Sequence, residues 1–330
     1  MKSTVKSSQI LLYFILSIVG VVFCVSCERF VDVTPKDRVT SAAVWQSTGN
    51  ADLFLNNIYN AVEPPSSIPL AEAPRENYSD NAVNSIGGRY DRTTYNLSAY
   101  TPDYSNPNWG KAHDWNQYDY IRRANLFIES IQSSNLDENW KKLRLAEARF
   151  LRVFFYQKIW TTMGGFPIIT KVLNLGEQGD EIFVGRSSID ECFDFMDQEL
   201  EEIFPDLPDK AENGRISKWA ALALKGWIEL FHASPLHNES NVSDRWQKAA
   251  DTYKKIIDEG SFTLFPNYYE LFMEGTNYNS EVIWQTPSNP SLVGMQNRYS
   301  YMVASQWLEA NSFVGFQLST PTQNLVDEYS

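Results

Sequence analysis

Apolar residues recur at three- and four-residue steps over residues 111–260, which is the spacing of one face of an α-helix. Tyr118, Ile121 and Ile128 mark the first of these helices. The next, predicted over residues 138–163, carries two apolar stripes, and a helix that is apolar on two sides packs on two sides. The pattern therefore predicts a core of α-helices in this part of the chain.

Residues typical of helix ends divide this region further. Gly164 and Pro167 should end the second helix, and Ser188 with Glu191 has the capping-box spacing that begins a third, predicted to run to Phe204. Two more helices are expected from the apolar sets Ile216, Ala220, Leu224, Trp227, Phe231 and Trp246, Ala250, Tyr253, Ile256, Ile257, the latter ending at Gly260. Antiparallel helices with short connectors predict an all-α scaffold of tetratricopeptide-like helical hairpins, although no repeat matches that consensus cleanly.

The rest of the chain has no comparably long helical pattern. Residues 27–50 should form a tether, and residues 51–62 a first short amphipathic helix. Residues 63–110 are rich in Pro, Gly, Asn and Asp, which predicts a long irregular excursion before the helical region of residues 111–274. Residues 275–330 are a second loop-rich segment. Loops this long are usually functional or disordered, and we expect them to form a ligand-binding face.

The first 26 residues have the pattern of a lipoprotein signal peptide. Lys2 and Lys6 precede an apolar run over residues 10–25, slightly short for a free-standing membrane span of roughly 20 residues. Small Ser26 before Cys27 suits a signal peptidase that cuts after the thiol is acylated. Lipid on Cys27 would anchor the mature protein stably to a membrane. The alternative is an uncleaved single-span anchor.

Composition narrows the class of ligand. The formal charge of −13 makes nucleic acid a poor partner, because phosphate binding needs clustered Lys and Arg. Aromatic residues make up 14% of the chain, which suits neutral ligands. Once Cys24 leaves with the leader and Cys27 carries lipid, only Cys192 remains, so no intramolecular disulfide is expected. No cofactor or metal site is predicted.

An ordered set of short motifs carries a family resemblance. They occupy residues 26–35, 55–60, 118–125, 146–167, 214–225, 246–260, 269–272 and 279–283. Each is weak alone, but together they resemble the SusD/RagB family of nutrient-binding outer membrane lipoproteins of Bacteroidetes across nearly all of the mature chain. Residues 321–329 resemble a segment that lies well inside the proteins of that family, so the chain is expected to be truncated at its C-terminus.

The resemblance implies capture of a glycan at the cell surface and its delivery to a SusC-like TonB-dependent transporter, without catalysis. Sugars present flat apolar faces ringed by hydroxyls, so a binder needs exposed aromatic rings and hydrogen-bonding side chains. Both loop-rich segments have this mixture, and the candidate ligand residues are Arg75, Asp80, Arg89, Tyr90, Trp109, Tyr299 and Trp307. Each ring could instead pack its loop onto the helices. The tryptophans expected in the core are Trp140, Trp160, Trp219, Trp227, Trp246 and Trp284.

Two other functions stay open. One is a peptide- or other-nutrient-binding protein of the same architecture, and the other is a surface glycosidase. No zinc, serine-hydrolase or phosphate-binding motif appears, and the spacing of His232 and His237 places them apart on any helix. A glycosidase needs two carboxylates about 5 to 9.5 Å apart. The densest carboxylate cluster, expected to be a solvated helix face, is Asp197, Glu199, Glu201 and Glu202.

Overall fold

The described architecture is helical. A computed structural model of the chain describes residues 44–62, 82–83, 117–212, 214–273, 275, 278–285 and 320–328. The α-helices are α1 (Thr48–Tyr59), α2 (Gln117–Gln132), α3 (Glu138–Met163), α4 (Leu175–Gln178), α5 (Ile189–Ile203), α6 (Lys218–Ala233), α7 (Ser243–Glu259) and α8 (Gln323–Asp327). Short 3₁₀ helices span Gly179–Ile182, Phe204–Asp206 and Glu270–Phe272. In the part of the chain described, no helix is long and apolar enough to cross a bilayer.

Helix α3 is packed on two sides, as its two apolar stripes predict. Helix α2 packs against it, and the Tyr120 ring of α2 lies 5.1 Å from the Phe155 ring of α3. Helix α5 also packs against it, and Phe195 of α5 meets Tyr156 of α3 edge to face at 5.6 Å. Phe150, on the other stripe of α3, is 1% exposed. The prediction of a helical core is confirmed.

Local interactions place the ends of the helices where the sequence predicts them. The Asp137 side chain accepts a hydrogen bond from the Trp140 amide and begins α3. Gly164 ends that helix with φ at 74°, a conformation that costs glycine little. At the start of α5, Ser188 and Glu191 form both hydrogen bonds of a capping box. Helix α1 lies three residues earlier than the predicted span of 51–62.

Helices α6 and α7 form a second closely packed pair. A Cβ atom on Gly226 of α6 would lie 3.1 Å from the Tyr253 ring of α7, so glycine permits the close approach. The predicted apolar face is only partly buried, because Ile256 is 6% exposed whereas Trp246 and Ile257 are 38% and 77% exposed. Packing of α7 covers the stripe that faces α6 and leaves these neighbouring side chains at the surface. The expectation that Trp246 lies in the core is therefore wrong, and so is the same expectation for Trp227 of α6, which is 36% exposed.

One pair of strands joins two parts of the chain that are far apart in sequence. Strands β1 (Ala82–Val83) and β2 (Thr320–Pro321) pair antiparallel, with Ala82 opposite Pro321. These are the only strands among the described residues. Strand β1 belongs to the excursion that the sequence predicts to be irregular, and the sequence alone gave no sign of this pairing.

Candidate functional site

The residues that the sequence predicts to carry lipid or to bind the ligand lie outside the described residues. This holds for Cys27 and for the candidate ligand residues Arg75, Asp80, Arg89, Tyr90, Trp109, Tyr299 and Trp307. Their roles stay predictions.

A cavity of about 440 Å³ opens where three segments meet. The segments are residues 209–219 before and at the start of α6, residues 259–262 after α7, and residues 278–285. The volume lies within the range of about 300–1,000 Å³ that is common for small-ligand sites. We call it the Trp219–Trp284 cavity after the two indoles in its lining.

Both indoles are held in fixed positions. Trp219 is 4% exposed and lies in the first turn of α6, which the Ser217 side chain caps by accepting a hydrogen bond from the Ala220 amide. The half-buried Trp284 meets the Phe150 ring edge to face at 5.5 Å, and its Nε1 donates to the Gly214 carbonyl at 3.2 Å. The half-buried Trp284 thus gives the cavity a fixed aromatic surface of the kind that stacks against the apolar face of a sugar, whereas Trp219 is nearly covered and supports the wall from behind.

The mouth of the cavity carries unusual backbone conformations. Ser261 and Tyr278 have φ values of 54° and 57°, which are uncommon for residues other than glycine. Such conformations cost about 1–3 kcal/mol and persist where the surroundings hold them. Here the Thr263 amide donates to the Ser280 carbonyl at 3.0 Å, and the Tyr278 amide donates to the Gln285 side chain at 3.2 Å. Tyr278, 40% exposed, lies at the surface beside the opening.

Arg215 connects the cavity wall to the helical core. Its guanidinium donates to Glu147 Oε2 at 2.6 Å, and Glu147 is 1% exposed. Glu147 also accepts hydrogen bonds from Arg144 at 2.6 Å and from the Tyr59 hydroxyl at 2.9 Å. Burial raises the pKa of Tyr59, and the Glu147 charge adds to the shift. Arg215 is therefore committed to a buried network that links α1, α3 and the cavity.

The family model described as "Starch-binding associating with outer membrane" matches residues 29–230, more than half of the chain. The chain belongs to the SusD-like family. The prediction from the ordered motifs is confirmed, and the helical scaffold is the one shared by solved SusD-like proteins.

Individual relatives show how far the similarity extends. SusD-like protein P25 of Formosa agariphila is 24% identical over 278 residues, which cover 79% of this chain and 49% of the relative. A SusD superfamily protein of Parabacteroides distasonis superposes with a TM-score of 0.69 at 19% identity, covering 85% of this chain and 60% of that one. Surface glycan-binding protein A of Bacteroides thetaiotaomicron, solved with laminarihexaose, superposes with a TM-score of 0.55 at 18% identity, covering 72% of this chain and 48% of that one.

The SusD-like chain spans about half the length of the curated relatives it matches. Its fold and family are established by the match. The ligand and the transporter of the whole protein are matters for proposal.

The carboxylates on α5 are not simply a solvated face. Glu201 and Glu202 are 71% and 49% exposed at their side chains, as expected. Asp197 and Glu199, however, are only 16% and 13% exposed. The prediction is wrong for these two, because α5 packs between α3 and α6 and turns them toward cationic side chains.

Each of these two carboxylates forms ion pairs with cationic side chains of a neighbouring helix. The ammonium of Lys225 on α6 lies 2.5 Å from Asp197 Oδ1, and Arg149 and Arg152 on α3 lie 2.8 and 2.5 Å from the Glu199 carboxylate. The two buried carboxylates therefore hold helices together. This use leaves them poorly suited to the paired acid and nucleophile of a glycosidase.

The two histidines that were expected to lie apart pack around one indole. The rings of His232 and His237 lie 6.3 and 5.7 Å from the Trp160 ring, because the chain turns back after α6. His232 Nε2 lies 2.6 Å from Asp190 Oδ1, while burial lowers the pKa of His232. Within the described ranges, no group of three or more His, Cys, Asp and Glu side chains is placed to hold a metal ion.

The sequence predicts Trp219 and Trp284 in the core and does not reveal the cavity that they line. Both are well packed, as expected, but each also contributes to the wall of an open space. The available signal was that polar residues such as Ser217, Asn279 and Ser280 lie next to these aromatics in two family-like motifs. Only the fold brings the two motifs together.

Proposed function

We propose that this SusD-like chain is a non-catalytic glycan-binding lipoprotein of the cell surface that delivers oligosaccharide to a SusC-like TonB-dependent transporter. Membership of a family described as starch-binding and associated with the outer membrane carries the proposal. It is supported by a structural neighbour that was solved with laminarihexaose. We further propose that residues 1–26 are removed and that lipid on Cys27 holds the protein on the membrane.

The aromatic and polar residues of the chain support a sugar ligand. Two indoles line a concave site of the size used for small ligands. We propose that the loop-rich segments add Trp109 and Trp307 as stacking platforms and Arg75, Asp80, Arg89, Tyr90 and Tyr299 as further contacts. A peptide-binding relative and a surface glycosidase remain the alternatives. A glycan array compared with a peptide panel addresses the first, and turnover of a labelled oligosaccharide addresses the second.

Isothermal titration with laminarihexaose, or with a stronger array hit, tests the proposed stacking residues. Trp109→Ala or Trp307→Ala should weaken binding by about 1–3 kcal/mol, as expected for an aromatic stacking platform, with nearly unchanged melting temperature. Trp246→Ala is the matched control, because this indole is 38% exposed on α7 and its Nε1 already donates to Asn241.

Two results would contradict this assignment. If the Trp109 and Trp307 variants melt far below the parent, both rings belong to the core. If they bind and melt like the Trp246 variant, the rings are ordinary surface residues. Binding of peptides but of no glycan on the array would overturn the proposed function itself.

A further inference from the structure

We propose that the Trp219–Trp284 cavity selects neutral, hydroxyl-rich sugars and rejects sugars that carry carboxylate or sulfate groups. The inference rests on the proposed glycan-binding function and adds the charge class of the ligand. Its basis is the distribution of charge in the lining of the cavity.

Three exposed carboxylates lie in that lining. The side chains of Asp209 and Glu212 are each 75% exposed, and Glu259 at the end of α7 is exposed as well. An ionised carboxylate only accepts hydrogen bonds, so it suits the hydroxyl groups of a neutral sugar. The same carboxylate repels an anionic substituent, and the repulsion is stronger near a protein surface than in bulk water.

The nearby cations offset these charges only in part. Arg215 is 12% exposed; it donates to buried Glu147 at 2.6 Å, and its Nε lies 3.5 Å from the Glu212 carboxylate, so it is shared between the two. Lys218 lies 2.5 Å from Asp209 but is outside the cavity lining, and its ammonium lies 4.8 Å from the centre of the Trp219 ring. The lining holds three exposed carboxylates against two cations, exposed Lys210 and mostly buried Arg215, which leaves a formal charge of −1. An anionic ligand therefore meets a net negative lining.

The test compares laminarihexaose with a hexamer of galacturonic acid by isothermal titration at 50 and 500 mM NaCl. The neutral sugar should bind with the same Kd, within about twofold, at both salt concentrations, because no ion pair is involved. The acidic sugar should bind at least ~10-fold more weakly at 50 mM and regain affinity at 500 mM, where the repulsion is screened. If laminarihexaose is not the ligand, a neutral array hit of similar length replaces it.

Charge reversal in the cavity lining tests whether the lining carboxylates cause the weaker binding of the acidic sugar. The double variant Glu212→Lys/Glu259→Lys should improve binding of the acidic hexamer ~10-fold or more at 50 mM NaCl. The matched control is Glu177→Lys/Glu181→Lys, which makes the same change of net charge at two exposed positions outside the lining. Tyr278→Ala should weaken binding of the neutral sugar several-fold without changing the melting temperature, since Tyr278 lies exposed at the cavity.

The outcomes separate this inference from the proposed function. Equal binding of acidic and neutral hexamers at 50 mM NaCl overturns the selectivity. If the two charge-reversal variants have equal effects, the cavity is not the selective site. The same conclusion follows if Tyr278→Ala leaves binding of the neutral sugar unchanged. Glycan binding itself stands in both cases. Failure of every array glycan to bind refutes the proposed function and this inference with it.

Discussion

Asp197 and Glu229 belong to one ion cluster between α5, α6 and α7, yet their pKa values shift in opposite directions. Lys225 and Lys248 lie 2.5 and 2.8 Å from the Asp197 carboxylate, and these hydrogen bonds outweigh its burial and lower its pKa. Glu229 is 1% exposed, and the same two ammonium groups lie 3.3 and 3.8 Å from its Oε1. Burial raises the pKa of Glu229, and the Asp197 charge adds to the shift.

These shifts predict different pH dependence for two isosteric variants. Asp197→Asn should lose about 1.5–3 kcal/mol of unfolding free energy at pH 7, the range for hydrogen bonds to charged groups. The loss should shrink as pH falls, because a lowered folded-state pKa stabilises only while the group is ionised. The unfolding free energy of Glu229→Gln should instead increase relative to that of the parent as pH rises above about 4.5, because ionisation of buried Glu229 opposes folding in the parent. Urea melts at several pH values measure both effects, and equal losses at pH 7 would contradict the assignment.

Helix α3 shows how a single element joins the two sides of the helical core. Its Phe155 ring faces Tyr120 of α2, whereas its Phe150 ring faces Trp284 in the wall of the cavity. The same helix supplies Glu147 and Arg152, whose ion pairs reach residues 215 and 199. The packing of α3 thus positions the candidate site as well as the core.

Truncation of either phenylalanine should test the two-sided packing of α3. Phe150→Ala and Phe155→Ala remove rings that are 1% and 0% exposed, so each should cost about 3–5 kcal/mol of unfolding free energy. Ile257→Ala is the control, because Ile257 is 77% exposed and its truncation should change stability by less than about 0.5 kcal/mol. Denaturant unfolding decides between these values. A loss under about 1 kcal/mol at either phenylalanine would show that its side of α3 is not buried.

For the molecule as a whole, the central expectation is lipid anchoring at Cys27. Cys27→Ala should leave the protein unprocessed or soluble, because the thiol that receives the lipid is absent. Globomycin should likewise block processing of the parent protein. Membrane fractionation and detergent-phase partitioning measure the result. If the parent loses its leader and still enters the aqueous phase, the lipoprotein assignment is wrong.

The sequence by itself determined the elements whose signals are local. The spacing of apolar residues gave the bounds of α3 as 138–163, and the Ser188 and Glu191 pair gave the start of α5. Both depend on residues within a few positions of one another, so no distant contact is needed. The ordered motifs also identified the family, because that resemblance depends on which motifs occur and on their order along the chain. No distance in the folded protein is needed for it.

Tertiary structure alone decided which neighbours cover each helical face. Asp197 and Ile257 both lie on amphipathic helices, yet packing turns the carboxylate toward Lys225 and leaves the aliphatic side chain 77% exposed. The Trp219–Trp284 cavity likewise exists because folding brings together segments that are distant in sequence. Periodicity shows which residues share a face, but burial, ion pairing and cavity shape depend on the elements that pack against it.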